Sequence, residues 1–449
     1  IIDLEPEITL SNNSVYESTY PNVFIGKLSS KDPSVTYSLV EGQGDDNNND
    51  FTIIDDLLLT NKAFDYEQGD NTKYIRIKVQ ETFLSSEKTF EITINDIINE
   101  ESLSVVTWGD SDYGGDSSLI SYKLLEGIEK IFSTESAFAA LNSDGSVVTW
   151  GNPDKGGNSS TVSLNLSSGV VDIFSTNSAF AALKSDGSVV TWGDHNGGYS
   201  NHIASDISSG VVKIFSNKYA FAALKSDGSV ITWGSIYFGG DNSLVADDIE
   251  SGVSEITSSD ESFAALKTDG SVITWGKQDL GGNSSVVASK LASGVIKIFS
   301  SGWGGAFAAL KNDGSVVTWG NVNGGGDSSS VASDLTADVV NIFGKDFAFA
   351  ALKENGSVVT WGSDPWGGDS SYVASSLSSG VIKIFSTESA FAALKDDNSV
   401  VTWGYSSLDN SGGDSTSVAS RLTSGVTEIF STQKAFAALK ADGSVVTWG

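Results

Sequence analysis

The chain has no cysteine and no methionine, only two histidines and five prolines, and 26 basic residues against 57 acidic ones in 449 positions. Without cysteine there can be no disulfide, no thiolate metal site and no cysteine nucleophile. Both histidines, His195 and His202, fall in one short stretch, and no G-x-S-x-G, P-loop, H-E-x-x-H or dinucleotide-type glycine pattern occurs. Among the 57 acids no spacing singles out a carboxylate pair for glycosidic chemistry. The expectation is a protein that is not an enzyme. A net charge of −31 argues against nucleic acid, whose phosphates demand clustered Lys and Arg, and against anionic membrane surfaces. No apolar run approaches the ~18 residues of a membrane span, so no membrane insertion is expected.

What the chain does have is repetition. SVVTWG or a near copy recurs nine times, placing Trp108, Trp150, Trp192, Trp233, Trp275, Trp319, Trp361, Trp403 and Trp448 at intervals of 42, 42, 41, 42, 44, 42, 42 and 45. One supersecondary unit is being reused. Each unit reads as three short apolar runs: V-x-x-I-F-S, then A-F-A-A-L-K, then S-V-V-T-W-G. Asp-Gly or a close substitute separates the second and third, as at Asp186-Gly187. Asp-Gly between apolar runs predicts a β-hairpin, because the tight turn needs residues that tolerate positive φ. Units of about 42 residues with three strands predict a β-propeller. Alanines in the second run let neighbouring blades approach closely, and each Trp is expected to cover a seam between blades. Burying ~200 Å² of indole is worth at most ~5 kcal/mol. The count favours eight blades, with seven the alternative. The leading copy at 104–109 is a candidate for completing the last blade.

The run AALK-x-DGSVVTWG, the later Gly-Gly and the SGV before the first strand resemble the propeller repeats related to the regulator of chromosome condensation. They are closest to the short-repeat bacterial branch that includes a secreted propeller inhibitor of β-lactamases. The resemblance covers 102–449 and implies the fold rather than an activity.

Residues 1–101 lack the period. Runs at 8–10, 35–39, 51–54, 74–79 and 90–94 alternate or are β-rich and predict a β-sandwich. The segments LSNNSVYES, IGKLSSKDPS, VTYSLVEGQGDDNNNDFTI, FDYE and FEITINDIINE resemble, in order, the motifs of a bacterial cadherin-like domain. That resemblance implies calcium as the cofactor, with Glu17, Asp32, Asp65, Glu67, Asp96 and Asn99 as the metal-site candidates; turn capping is the alternative role for the same acids. Ser34 stands where the pattern has a second acid after Asp32. The stretch 45–50 lacks the glycine and glutamate of an EF-hand and reads as a mobile loop.

The segment after each Trp-Gly varies in length and chemistry while holding one place in the unit, so these loops are expected to line one face. Tyr113, His195, Tyr237, Phe238, Trp366 and Tyr405 are the partner-binding candidates there, since aromatic side chains anchor interfaces; packing on their own loops is the alternative. Trp303, in a separate loop, is assigned to another face. The Gly-Gly tract that closes each loop reads as turn-making.

The whole reads as an extracellular or cell-surface piece of a larger exported bacterial protein. Its loop face would recognise a protein or glycan, and calcium would stiffen the cadherin-like module. The rivals are a secreted inhibitor capping an enzyme's active site and a purely structural array.

Overall fold

The computed structural model describes residues 6–17, 23–31, 35–66, 69–81, 84–96, 105–125, 127–194, 197–405 and 412–449. The chain is all-β and divides into two compact units, Ile1–Ser102 and Leu103–Gly449.

The first unit is a β-sandwich. One four-stranded sheet runs in the order Thr9–Leu10, Phe24–Ser29, Leu57–Thr60, Phe51–Ile54; the other runs Ser14–Tyr16, Ser85–Asn95, Thr72–Gln80, Thr36–Leu39. Ile25, Leu28, Phe51 and Leu58 from one sheet meet Val15, Ile75, Ile77, Val79, Ile92 and Ile94 from the other in a single core. Strand 72–80 alternates buried and outward residues along its length, which is what a period of two requires of a half-covered sheet. Residues 45–50 are not a loose loop. Their asparagines clamp a strand: Asn47 and Asn48 accept from the backbone N–H of Tyr74 and Arg76 at 3.0 and 2.9 Å, and Asn48 donates to the Val40 carbonyl.

The second unit is built of propeller blades. Eight three-stranded antiparallel sheets follow one another among the described residues. In the second blade the strands are Val170–Ser175, Ala179–Lys184 and Val189–Gly193, in that spatial order. The middle strand has two working faces. Ala179, Ala181 and Leu183 pack forward on Ile214, Phe221 and Trp233 of the third blade. Phe180 and Ala182 pack backward on Ala137, Ala139 and Leu141 of the first. Because both faces are covered, the strand is apolar throughout, and methyl-sized side chains set the distance between sheets. First strands of successive blades also touch, while third strands meet the short helical turns of the preceding loop. The blades therefore fan outward from their first strands, and the third strand is the outer edge.

The seam is a three-part stack. Trp192 lies opposite Phe180 in the register and stacks on it at 5.2 Å, and its indole N–H donates to the Gly156 carbonyl at 3.0 Å, in the loop leaving the previous blade. Gly156 adopts φ +103°, and a Cβ there would stand 2.6 Å from the Phe180 ring. The Gly-Gly tract is thus part of the seam as well as a turn. Equivalent bonds join Trp150, Trp233, Trp275, Trp319, Trp361, Trp403 and Trp448 to the preceding loop glycine.

Three expectations change here. Trp108 is 84% exposed rather than buried in a seam: among the described residues no A-F-A-A-L-K strand precedes it to stack on. Residues 105–109 form no strand, and the eighth blade is completed by its own Val445–Trp448. In the hairpin turn only the glycine takes positive φ, +78° at Gly187. Asp186 is there for its carboxylate, which accepts from the Ser188 N–H at 2.9 Å and its hydroxyl at 2.6 Å. Those bonds hold the Asp186 carboxyl below its ordinary pKa.

Candidate functional site

One face of the blades is organised by main-chain bonds that run from unit to unit. The turn between first and middle strands donates to its neighbour in a series: Glu135 N–H to Asn177 carbonyl at 3.1 Å, Asn177 to Lys218 at 3.0 Å, Lys218 to Asp260 at 3.1 Å, and Asp260 to Gly302 at 3.3 Å. The variable loop of each blade is tied to the same rim. Thr134 donates its hydroxyl to the Lys155 carbonyl at 3.0 Å, and Asn217 its amide to the Phe238 carbonyl at 2.6 Å. A polar hollow of about 390 Å³ lies along this rim, lined by Glu135, Asn177, Asn217, Lys218 and Asp260 among others.

Next to the hollow the face turns aromatic. Trp303 meets Phe347 edge-on at 6.0 Å, Phe347 meets Trp366 at 5.1 Å, and Trp366 meets Tyr405 at 6.1 Å. Tyr219 and Phe238 form a second pair at 4.6 Å. A cavity of about 360 Å³, bounded by Tyr219, Asp260, Trp303 and Phe347, joins the two groups. Two cations sit on these rings: Lys218 Nζ lies 5.2 Å from the Trp303 centroid while paired with Asp260 at 2.7 Å, and Lys277 Nζ lies 5.7 Å from Phe238.

Local sequence explains the placement. After Trp108, Trp150, Trp233, Trp275, Trp319 and Trp361 the loop makes one turn of 3-10 helix, such as Ile236–Phe238 or Asp364–Trp366, and ends on a left-handed glycine. That turn directs Trp366 into the aromatic face and sets Phe238 between that face and a groove on the outer edge of the blades, which Tyr237, 72% exposed, also borders. Tyr405 is half-buried in the belt, and Tyr113 stands exposed on its own loop. His195 lies outside the described residues.

Trp303 belongs to this face, contrary to its assignment from sequence. Its loop, Gly302–Gly304 followed by Gly305, folds against the neighbouring turn so tightly that a Cβ at Gly304 would stand 2.0 Å from the Asp346 carbonyl. Phe347 and Tyr219 were missed. The only signal for the Trp303 insertion was the 44-residue interval between Trp275 and Trp319.

Asp346, next to Phe347, has φ +41° and a mostly covered side chain. Burial pushes its carboxyl up to about 6; Glu388 and Asp260 add to the shift, and Lys345 and Lys218 oppose it.

On the sandwich, the Glu17 carboxylate is buried and accepts from the Tyr66 N–H at 2.7 Å, which brings it beside Asp65 in the chain. Among the described residues no three acidic or imidazole side chains gather in a metal-holding group. Glu17, Asp65 and Asp96 therefore do not make the expected site by themselves. Asp32, Glu67 and Asn99 lie outside the described residues.

No family model and no curated protein matches the chain. Solved structures that resemble it include Prp20p from Saccharomyces cerevisiae, at 15% identity over 68% of this chain and 82% of that one, with a TM-score of 0.34. A complex of Kap60 with yeast RCC1 (Prp20) aligns at 16% identity over 59% and 80%, TM-score 0.32. The ectodomain of the Physcomitrella patens receptor kinase CR4 aligns at 13% over 61% and 71%, TM-score 0.31.

Proposed function

We propose that the second unit is a recognition module whose aromatic face docks a partner, and that the chain works by binding rather than by catalysis. The observation that carries this reading is the run Trp303–Phe347–Trp366–Tyr405, rings contributed by the fifth, sixth and seventh blades and held in contact along one rim. Rings supplied by separate rigid blades lose little conformational freedom on docking, which is how aromatic anchors gain affinity. A protein partner with apolar and basic side chains suits the setting, because Asp260, Asp346 and Glu388 stand around the rings and the chain carries −31 overall. Of the neighbours, one is described bound to Kap60 and another for its binding to Gsp1p and histones. A glycan is the second reading, favoured by the 60% exposure of the Trp303 indole, on whose face a sugar ring can stack.

We propose an exported, cell-surface setting, with which the acidic, cysteine-free composition is in keeping. In this reading the sandwich is a spacer, and calcium supplies it with charge neutralisation through hard oxygen ligands. Glu17, Asp65 and Asp96 would be among them; Asp32, Glu67 and Asn99 are the other candidates. The test of the face is binding of the parent and of a Trp303→Ala/Phe347→Ala/Trp366→Ala variant to glycan arrays and to cell-surface protein extracts. At least a tenfold loss is expected, with glycan or protein capture deciding between the partners; unchanged binding ends the proposal. For the metal, a thermal melt of the whole chain with and without millimolar calcium should raise the transition of the sandwich, and an unmoved transition removes calcium from the account.

A further inference from the structure

The third strand of each blade is an edge whose outward N–H and C=O groups alternate with those spent on the middle strand. In the fourth blade Lys277 N–H pairs inward with Glu261, so Val272, Thr274 and Gly276 point their main-chain groups outward. At the first of these outward positions other blades are closed by their own loop: Val189, Val230 and Val358 donate to the carbonyls of Ile207, Ile249 and Leu377. Two large grooves run along the outer edge of the fourth and fifth blades. One, of about 1090 Å³, is floored by Val272–Gly276, and the other, of about 920 Å³, by Val316–Gly320.

The seventh blade shows what this edge takes. There the outward N–H of Gly404 donates to the hydroxyl of Tyr372, which reaches over from the loop of the preceding blade, at 2.9 Å. Tyr372 follows Asp369-Ser370-Ser371 in that loop. The residues in the same place beside the two grooves are Leu244, after Asp241-Asn242-Ser243, and Val286, after Asn283-Ser284-Ser285. Neither has an oxygen to offer. Both are almost fully exposed, as are Ile236 and Tyr237 to a lesser degree at the first groove. A position that the seventh blade fills with its own acceptor is thus left to apolar side chains beside both grooves.

We infer that these two outer grooves accept an extended peptide that adds as a strand to Val272–Gly276 and to Val316–Gly320. Its carbonyls take the N–H groups of Thr274 and Gly276, or of Thr318 and Gly320, and its apolar side chains lie on Leu244 or Val286. Asp241, Asp248 and Asp279 surround the first groove against Lys277 alone, so a peptide flanked by basic residues fits it best. The first groove shares Phe238 and Lys277 with the aromatic face, but none of the substitutions in its test alters a ring of that face.

The probe is acetyl-KVTVTVK-amide, titrated calorimetrically into the whole chain at low salt, with hydrogen exchange read at Gly276 and Gly320. Saturable binding at two sites with slowed exchange at both glycines is expected. Leu244→Tyr with Val286→Tyr rebuilds the Tyr372 plug in both grooves and should weaken binding at least tenfold. Tyr372→Leu should open a third site and raise the stoichiometry towards three. Absence of saturable binding to the parent at millimolar peptide overturns the inference. So does undiminished binding by the double variant when its melting midpoint matches the parent's, or a stoichiometry that Tyr372→Leu leaves at two.

Discussion

Residues 105–109 and 445–449 are the same pentapeptide, Val-Val-Thr-Trp-Gly, yet one indole is 84% exposed and the other 6%. The leading copy keeps the bonds that the outer edge makes to its own loop. Val105 N–H donates to the Leu124 carbonyl at 3.0 Å, and the Thr107 and Ser117 hydroxyls meet at 2.8 Å. What it lacks, among the described residues, is a middle strand before it. Trp448 has Phe436 to stack on at 5.3 Å and the Gly412 carbonyl to receive its N–H at 3.1 Å. Burial of the tryptophan is therefore a property of three segments meeting, and the motif contributes one of them.

That difference can be broken from either side. The largest effect is expected for Trp233→Ala, which empties a fully buried seam and should cost ~3–5 kcal/mol in a denaturant melt. A loss under ~1 kcal/mol would mean the seam closes up without its indole. The glycines give a sharper contrast. Gly239 and Gly109 share a left-handed backbone, φ +102° and +112°, but a Cβ at Gly239 would stand 2.6 Å from the Phe263 ring, while at Gly109 it meets open space. Gly239→Ala should cost ~2–3 kcal/mol, combining strain with overpacking, and Gly109→Ala ~1 kcal/mol from strain alone. Equal melts for the two would put the whole penalty on the backbone.

A third contrast is electrostatic. The repeated turn aspartates such as Asp186 are held below their ordinary pKa by serine, whereas Asp346, in an irregular turn, is pushed up to about 6. For Asp346 the folded state keeps its proton to higher pH than the unfolded chain, whose carboxyl titrates near 3.8. Its favourable contribution is thus complete below pH 3.8 and lost as pH rises through 6. Asp346→Asn should gain about 1 kcal/mol over the parent at pH 7, after allowance for solvent screening, and nothing at pH 3.5. Paired melts at those two values check it; a gain that does not depend on pH would trace to packing instead. The smallest effect belongs to Trp108→Ala, expected below ~0.5 kcal/mol, since little contact is lost.

Much of the architecture was readable from periodicity, because a 42-residue interval and a hairpin between A-F-A-A-L-K and S-V-V-T-W-G leave few alternatives. Trp108 was misread for the reason given above: its copy looks complete when taken alone. In the sandwich, strands at 14–16, 24–29 and 57–60 were passed over. The first is only three residues long, and the second carries Gly26, where a Cβ would stand 2.6 Å from the Asn12 carbonyl. At the binding face, sequence order is a poor guide to direction. Tyr237 and Phe238 are neighbours on one short helical turn and both line the outer groove, but Phe238 also pairs with Tyr219 at the rim. Phe347 and Tyr219 gave no sign of themselves, since their role depends on rings that arrive from other blades.

The glycine carbonyl that receives each indole N–H comes from the unit before, and the ring it covers belongs to the unit after. Every junction is consequently cut from the same pair of surfaces, and a whole unit can be lost or duplicated in the gene with the flanking surfaces still matching. Copy number along such a chain is free to drift, and the loops carried on each copy can diversify without renegotiating how the copies hold together.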